Sequence, residues 1–297
     1  MKRAVAHLQT LWTQLFVLSI VVFIIADVPW FIGIGVPIAL LALSFVRAPK
    51  GPAREPVEVD APVRGRWVAV NSPATRVPSH GVRVYGQTYA IDILRPSPQG
   101  RPRTPGWSLR TRRADGFPSY GEPVHAAAAG RVVTAHARRR DHRDRGSWPA
   151  LIYLFTVESF VRQLGGERTM LGNHVIVDHG AGVFSAYAHM RRGSVRVRPG
   201  ERVAAGQQLG EVGNSGNSSE PHLHFQLMDD RHLSAAAGVP FRWRGVDIRP
   251  GDTDPAYAAG PVSETVVEGL PANGQVFTAA PASQTAATAE SDSTPTP

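Results

Sequence analysis

The first fifty residues carry a continuous apolar pattern that the rest of the chain lacks. Two almost unbroken apolar runs, 11–26 and 29–46, are separated only by Asp27 and Val28. A membrane-spanning helix needs roughly 17–25 apolar residues, so each run is near the short end. Neither run ends in the small-residue site at which a signal peptide is cleaved. The pattern predicts a membrane anchor over residues 1–47, built as two short transmembrane helices. A buried helical hairpin of a soluble fold is the alternative.

Beyond the anchor, short alternating segments separated by glycine and proline predict an antiparallel β domain over residues 64–260. Residues 48–63 are rich in Pro, Arg and Glu and predict a linker. Residues 149–166 have helical length and end on two glycines, so one helix is expected in an insertion at about 137–170. The predicted strands are 66–70, 88–94, 130–137, 173–179, 184–190, 208–213 and 222–228. The expected fold is therefore mainly β, a small antiparallel sheet domain with one inserted helix. Residues 261–297 have little to bury and predict a disordered tail.

The composition limits the possible chemistry. The formal net charge is +8 and is carried almost wholly by arginine, since the only lysines are Lys2 and Lys50. Such a surface suits nucleic acid, anionic lipid or an anionic polymer such as a bacterial wall, but no nucleic-acid-binding motif accompanies it. The chain has no cysteine, which excludes disulfides, a cysteine nucleophile and cysteine metal ligands. A zinc site in this protein must use His, Asp or Glu.

The segment PHLHFQL (221–227) places His222 and His224 one residue apart, so both side chains share one face of a strand. Two imidazoles at about 7 Å need a common partner or water. Neutral imidazole is the commonest protein ligand for metals, zinc among them. On these residues alone, a metal site and an exposed edge strand with two solvated histidines are both open.

Three further residues could complete a metal site. Asp92 lies between isoleucines in TYAIDIL, where a carboxylate is costly to bury unless a cation meets it. His189 lies in the strand FSAYAHM, and His80 lies in the turn VPSHG upstream of Asp92. Zinc hydrolases typically take three His or carboxylate ligands and leave a fourth position for water. The sequence therefore contains enough ligands of the right type for one such site.

The motif order HG…YAIDI…GNHVIVDHG…YAHM…PHLHFQL, from about residue 66 to 243, closely resembles the lysostaphin-type (LytM-like) zinc metallopeptidases that cleave bacterial wall peptides. The resemblance implies a small, mainly antiparallel β domain with zinc in an open groove. It implies Asp92 and His224 as zinc ligands, and His189 and His222 as histidines that activate water and stabilise the oxyanion. Imidazoles near neutral pKa suit that proton transfer.

The chain departs from this pattern at one position. Many members of the family carry a ligand histidine four residues before the aspartate, and here that position is Thr88. His80, twelve residues before Asp92, can take its place if residues 81–87 form a loop. We therefore expect His80, Asp92 and His224 to hold the zinc, rather than a site that lacks its first ligand.

These predictions describe a membrane-anchored zinc endopeptidase that hydrolyses peptide bonds of peptidoglycan on the extracellular or periplasmic side of the cell membrane. Its expected partners are peptidoglycan peptides and, through the anchor, the lipid bilayer, with no nucleic acid. The alternative is a catalytically inactive wall-binding or amidase-activating module on the same fold, and an enzyme acting on a non-wall protein is a third possibility. The run 197–216 also resembles a biotinyl or lipoyl carrier hairpin, but no lysine lies after position 50 to carry the modification.

Overall fold

The computed structural model describes residues 1–97, 105–257 and 267–280. The α-helices lie at the N-terminus and in one segment after residue 147. They are α1 (Lys2–His7), α2 (Gln9–Ile25), α3 (Trp30–Ser44), α4 (Trp148–Tyr153), α5 (Ser159–Leu164) and α6 (Glu167–Met170). A π-helical turn at Leu154–Glu158 joins α4 to α5, so the predicted inserted helix is present and runs from 148 to 164. Short 3-10 turns lie at Val84–Tyr89 and Ala114–Gly116.

The strands are short, as the spacing of glycine and proline predicted. They are β1 (Val57–Asp60), β2 (Gly65–Val70), β3 (Ile91–Leu94), β4 (Pro123–His125), β5 (Gly130–His136), β6 (Asn173–Asp178), β7 (Phe184–Met190), β8 (Arg202–Val203), β9 (Gln208–Glu211), β10 (Leu223–Met228), β11 (Gly238–Val239), β12 (Phe241–Arg244), β13 (Val246–Thr253) and β14 (Gln275–Ala279). Among the described residues, the largest sheet has ten strands in the order β13-β14-β2-β3-β10-β7-β6-β5-β8, with β11 paired to β10.

The pairing within this large sheet is antiparallel throughout the described residues. Two small sheets accompany it: β4 pairs antiparallel with β9, and β1 pairs parallel with β12. Antiparallel strands can follow one another through short turns, which is why so many strands fit into one domain. The prediction of a mainly antiparallel β fold is confirmed.

One face of the large sheet is buried in the main hydrophobic core, and the other carries the polar residues of interest. Alternation along β3 puts Ile91 and Ile93 in the core and turns Asp92 to the opposite face. On β10, Phe225 enters the core, while His224 lies on the same side as Asp92 and pairs with it across the strands. The small sheets cover the core face, because β1, β4, β9 and β12 all contribute buried side chains to the same cluster.

The N-terminal apolar segment forms two helices, α2 and α3, that pack against each other. The N-terminal helices also contact the rest of the protein: Arg3 of α1 pairs with Asp229 at 2.5 Å, and the Gln14 side chain of α2 donates to the Leu164 carbonyl of α5 at 2.7 Å. Within the described ranges, none of the helices combines the length and the apolar character needed to cross a bilayer. The predicted pair of transmembrane helices is therefore not supported by the structure.

The structure corrects the predicted linker. Residues 57–60, placed in the linker 48–63, form β1 and pair with β12. The segment VEVD alternates, but it is only four residues long and lies between Pro56 and Pro62, so its composition resembled that of a linker. The domain therefore begins before residue 64.

Two other predicted boundaries also change. Residues 275–279, placed in a disordered tail over 261–297, form β14 and pair with β2 inside the large sheet. The predicted strand 88–94 begins only at Ile91, because the preceding residues close a 3-10 turn. Of the predicted tail, 261–266 and 281–297 lie outside the described residues.

Candidate metal centre

A closed loop brings His80 to Asp92. The Ser79 amide donates to the Thr88 carbonyl at 3.0 Å, so the two ends of the loop meet. The turn between them uses Tyr85 and Gly86, which both have left-handed backbones, with φ of 58° and 68°. A Cβ added to Gly86 would lie 3.1 Å from the Gln226 amide nitrogen, so glycine permits this close approach. The loop on which the His80 prediction depended is present.

His80, Asp92 and His224 converge on one point of the polar sheet face. His80 Nε2 lies 3.0 Å from Asp92 Oδ2, and His224 Nδ1 lies 2.9 Å from Asp92 Oδ1. One ligand atom from each residue lies within 4.8 Å of the other two. Two imidazole nitrogens and a carboxylate oxygen are a donor set that zinc commonly takes in hydrolases, with a fourth position open. The residues present fit a zinc ion.

The hydrogen-bond network assigns a tautomer to His224 that leaves its ligand atom free. The Nε2–H of His224 donates to Gln226 Oε1 at 3.0 Å. The amide of Gln226 cannot flip without loss, because its nitrogen donates to the Tyr85 carbonyl at 2.8 Å. The Nδ1 lone pair of His224 therefore faces Asp92, and two groups with lone pairs turned toward each other need a proton or a metal ion between them.

His189 and His222 lie beside these three residues with their Nδ1 atoms already used. His189 Nδ1–H donates to the Ser215 carbonyl at 2.8 Å, and His222 Nδ1–H donates to the Glu220 carbonyl at 2.7 Å. The two rings are 4.8 Å apart between centroids. Each residue therefore keeps an Nε2 lone pair, and both line the same cleft as the converging ligand atoms.

The charges of the cluster depend on one another. Burial raises the pKa of Asp92, but the charges of His80 and His222 and hydrogen bonds from His224 and His80 outweigh it and hold the pKa well below its usual range. Burial and the neighbouring His222 and His224 lower the pKa of His189 well below its ordinary value. Burial, too, lowers the pKa of His222, to about 4. Burial also disfavours the charged form of His224, but the hydrogen bond to Asp92 and its charge raise the pKa. The site thus keeps one carboxylate charged and two imidazoles neutral.

His189 holds an unusual backbone conformation. Its φ is 61°, a left-handed value that costs a non-glycine residue of order 1–3 kcal/mol. Its amide donates to the Leu171 carbonyl at 3.0 Å, and its side chain is fixed by Ser215. These two contacts hold the imidazole over the cleft, and strain of this kind is found at active sites.

The cleft over the centre encloses about 380 Å³ and is open on one side. Leu154 and Phe155 of the inserted helix line it, together with Met170 and Leu171 after it. The inserted helix therefore forms part of one wall of the groove. Apolar walls beside a polar floor are the usual character of a substrate cleft.

The structure brings together all five residues expected at the site, and their individual roles stay predictions. Thr88, the residue at the usual first-ligand position, lines a different pocket beside Ala236 and Gly238. The sequence did not identify two partners of the ligands, Asn71 and Gln226. Asn71 donates to Asp92 Oδ2 at 2.8 Å from the end of β2. Strand alternation could have identified Gln226, because it lies two residues after His224 and therefore on the same face of the strand.

Two histidines and a carboxylate that converge at the floor of an open cleft, with two neutral histidines beside them, are what a metal-dependent hydrolase requires. The sequence model of peptidase family M23 matches residues 156–235. Lipoprotein NlpD of Yersinia enterocolitica is 32% identical over 109 residues, which are 37% of this chain and 79% of that protein. The chain belongs to peptidase family M23. The matched segment includes His189, His222 and His224, whereas His80 and Asp92 precede it.

Two other known proteins are similar over shorter stretches. Peptidoglycan DD-endopeptidase ShyA of Vibrio cholerae is 37% identical over 57 residues, 19% of this chain and 13% of that protein. This chain thus spans only a small part of the length of that relative. The solved catalytic domain of the antimicrobial peptidase lysostaphin from Staphylococcus simulans is 22% identical, with 45% of this chain and 83% of that domain covered and a TM-score of 0.27. A score that low supports no conclusion about shared geometry.

Proposed function

We propose that this protein is a zinc-dependent endopeptidase that hydrolyses peptide bonds of peptidoglycan. The observation that carries the proposal is the convergence of His80, Asp92 and His224 at the floor of an open cleft, with His189 and His222 beside them. Membership of a peptidase family supports peptide hydrolysis, and the similarity to ShyA, a peptidoglycan DD-endopeptidase, supports peptidoglycan as the substrate.

In the proposed reaction, His80, Asp92 and His224 would hold the zinc ion through Nε2, a carboxylate oxygen and Nδ1, respectively. When bound, zinc supplies a Lewis acid that polarises the scissile carbonyl and makes water more acidic. His189 and His222 are neutral, because burial lowers the pKa of both. Their free Nε2 atoms can therefore accept a proton from the attacking water, and later donate it to the leaving amine. Once protonated, the same imidazoles stabilise the negative charge that develops on the carbonyl oxygen.

The backbone carbonyls of Ser215 and Glu220 orient these two histidines. Each carbonyl accepts the Nδ1–H of one imidazole, at 2.8 Å for His189 and 2.7 Å for His222. An Nδ1–H that donates to a carbonyl fixes the tautomer with the lone pair on Nε2 and makes that atom more basic. The loop 215–220 therefore sets the direction from which a proton is exchanged in the cleft.

The proposed place of action is the bacterial envelope. Helices α2 and α3 expose apolar side chains, including Ile24, Ile25 and Trp30, each more than 70% accessible. We propose that this hairpin holds the protein at the membrane with the peptidase domain on the outer side, where peptidoglycan lies. Protease accessibility of residues 64–260 in intact protoplasts measures this, and full protection would contradict it.

The proposed activity is tested by zinc content and by digestion of purified peptidoglycan, with mass analysis of the released fragments. We expect about one zinc ion per chain and new amino termini in the products. His224→Ala should lose metal and activity together, whereas His189→Ala and His222→Ala should keep most of the metal and lose turnover. Thr88→Ala is the matched control and should retain both. A protein that binds zinc but releases no peptide fragments from peptidoglycan would overturn the proposal and indicate an inactive wall-binding module.

A further inference from the structure

A second concave site lies outside the catalytic cleft, at the end of β5. It encloses about 450 Å³, and its charged lining residues are His136, Arg138, Arg139 and Arg168. No carboxylate is among the described residues that line it. The site is separated from the catalytic cleft by α6 and the residues after it, since Arg168 faces this site while Met170 and Leu171 line the cleft.

The three arginines of this site are without partners in the described part of the chain. Their guanidinium groups make no ion pair and no hydrogen bond there, whereas Arg145 and Arg162 nearby both bind Glu158. The closest carboxylate in sequence to Arg168 is already used, because Glu167 accepts two hydrogen bonds from Ser234, both 2.9 Å. Asp141 is likewise used, by the Asn214 and Arg192 amides and the Tyr120 hydroxyl. The positive charge therefore stays unneutralised within the described structure.

One histidine, His136, lines the site, and a second, His174, is buried directly behind it. His136 on β5 pairs with His174 on β6, and their ring centroids are 4.8 Å apart. His174 is only 2% exposed, and its Nδ1–H donates to the Gly172 carbonyl at 2.8 Å. Burial, with Arg168 and Arg139 adding to it, lowers the pKa of His136. The three arginines and His136 line the same cavity, so their charges lie around one place.

We propose that this second site, the arginine pocket, binds an oxyanion, a phosphate or carboxylate group of an anionic polymer. A guanidinium presents a planar pair of N–H donors that matches the two oxygens of such a group. An anion placed among like charges also removes their mutual repulsion, and a concave site concentrates their field. Because the pocket adjoins the catalytic cleft through α6, it would hold a charged part of a polymer beside the bond to be cut. Anion binding at the pocket does not depend on the proposed catalytic activity, whereas its placement beside a bond to be cut rests on that proposal.

The test is binding of inorganic phosphate to the zinc-loaded full chain, with acetate as a second probe, at constant ionic strength set by chloride. Titration calorimetry gives the affinity, and the ¹H–¹⁵N signals of the imidazole rings report whether His136 and His174 sense the ligand. We expect Arg168→Gln and Arg139→Gln each to weaken binding about tenfold or more, the usual effect of losing a charge-assisted hydrogen bond. Arg202→Gln is the matched control, because Arg202 is also exposed, lies on the same sheet and makes no ion pair with the described residues.

The zinc centre is the obvious competing site for an anion, and His224→Ala separates the two. Binding that survives His224→Ala and Arg202→Gln, but weakens in both pocket variants, supports the arginine pocket. Phosphate bound more tightly than acetate then indicates a phosphate-bearing polymer, and the reverse order indicates a carboxylate-bearing one. Binding lost with His224→Ala, binding unchanged by the pocket variants, or no binding of either probe would each overturn the proposal.

Discussion

Two clusters of histidine lie on the same face of one sheet, and a single carboxylate distinguishes them. Gln226, Ala186, Ile176 and Thr134 pair in succession across β10, β7, β6 and β5, so they share a face. The proposed metal ligand His224, and His136 and His174 at the arginine pocket, each lie two residues from a member of this row, and therefore on the same face.

The metal centre contains Asp92, whose charge raises the pKa of His224 and attracts a cation. The arginine pocket has arginines in place of the aspartate. Burial lowers the pKa of His136 and His174, and the arginine charges lower it further. Histidine by itself therefore does not indicate what a site binds. The sign of the fixed charge beside it decides between a metal ion and an anion.

The largest effect should come from removing that carboxylate charge. Asp92→Asn keeps the shape of the side chain and removes both the ligand charge and the partner of three histidines. Zinc affinity should fall by more than the roughly 100-fold that loss of an outer-shell partner costs, and peptidoglycan digestion should reach background. Competition with a chelator of known affinity measures the first, and fragment release measures the second. His174→Asn is the control from the other cluster and should keep its zinc; equal zinc loss in both variants would contradict the comparison.

The second largest loss of zinc affinity is expected at His80, the proposed ligand that replaces the residue at the usual position. His80→Ala should lower zinc affinity at least as much as the roughly 10–100-fold typical of outer-shell changes, because it removes a nitrogen that lies 3.0 Å from Asp92. Thr88→Ala should leave zinc affinity within about twofold, since Thr88 lines another pocket. The same chelator competition compares the two variants. Full zinc content and full activity in His80→Ala would remove His80 from the ligand set.

The residues of the centre were predictable where one rule governs their direction. Asp92, His222 and His224 lie on or beside strands, where alternation alone says which side chains share a face. His189 does not follow this rule: alternation places it with the core residue Tyr187, and its left-handed backbone brings it to the cleft instead. The position of His80 depends on a loop that is closed by backbone hydrogen bonds, such as that from Ser79 to Thr88. A side-chain pattern does not predict such bonds.

Sequence patterns did not predict strand β14, because the composition around it is typical of a disordered tail. Strand β14 alternates as QVFTA, but it lies among Ala, Thr and Ser and was assigned to a tail. Its place in the sheet is decided by pairing with β2, a partner about 200 residues away, which local patterns do not reveal. The N-terminal runs predicted helices correctly, but the bounds differ: α2 begins two residues before the run 11–26 and has 17 residues, whereas α3 ends before the run 29–46 does and has 15.

The hydrogen bond that orients His224 should have a moderate effect on metal affinity. Gln226→Leu removes the acceptor of the His224 Nε2–H, so zinc affinity should fall by roughly 10–100-fold while all three ligands remain. Gln226→Glu restores an acceptor and should recover most of the affinity, which a purely structural role of Gln226 would not predict. Imidazole ¹⁵N shifts of the zinc-free protein measure the tautomer directly. A His224 that keeps its proton on Nε2 in Gln226→Leu would show that the glutamine does not select the tautomer.

The smallest effect concerns pH and the other cluster. Burial, then His136 and Arg168, lower the pKa of His174 to about 4 in the folded protein, whereas an unfolded histidine has a pKa near 6.5. Above pH 6.5 both states are neutral, so His174 does not affect the free energy of unfolding. As the pH falls from 6.5 towards 4, the unfolded state binds a proton that the folded state does not bind. The free energy of unfolding therefore decreases, by at most about 3 kcal/mol.

The side chain of His174→Asn cannot bind that proton. In zinc-free protein, its denaturation midpoint should therefore fall less steeply than that of the wild type across this pH range. Phosphate in the arginine pocket would offset the arginine charges, so it should flatten the wild-type curve and leave the curve of Arg168→Gln nearly unchanged. Parallel curves for the wild type and His174→Asn would mean that His174 binds its proton equally well in the folded and unfolded states, and the contrast between the two clusters would fail at that point.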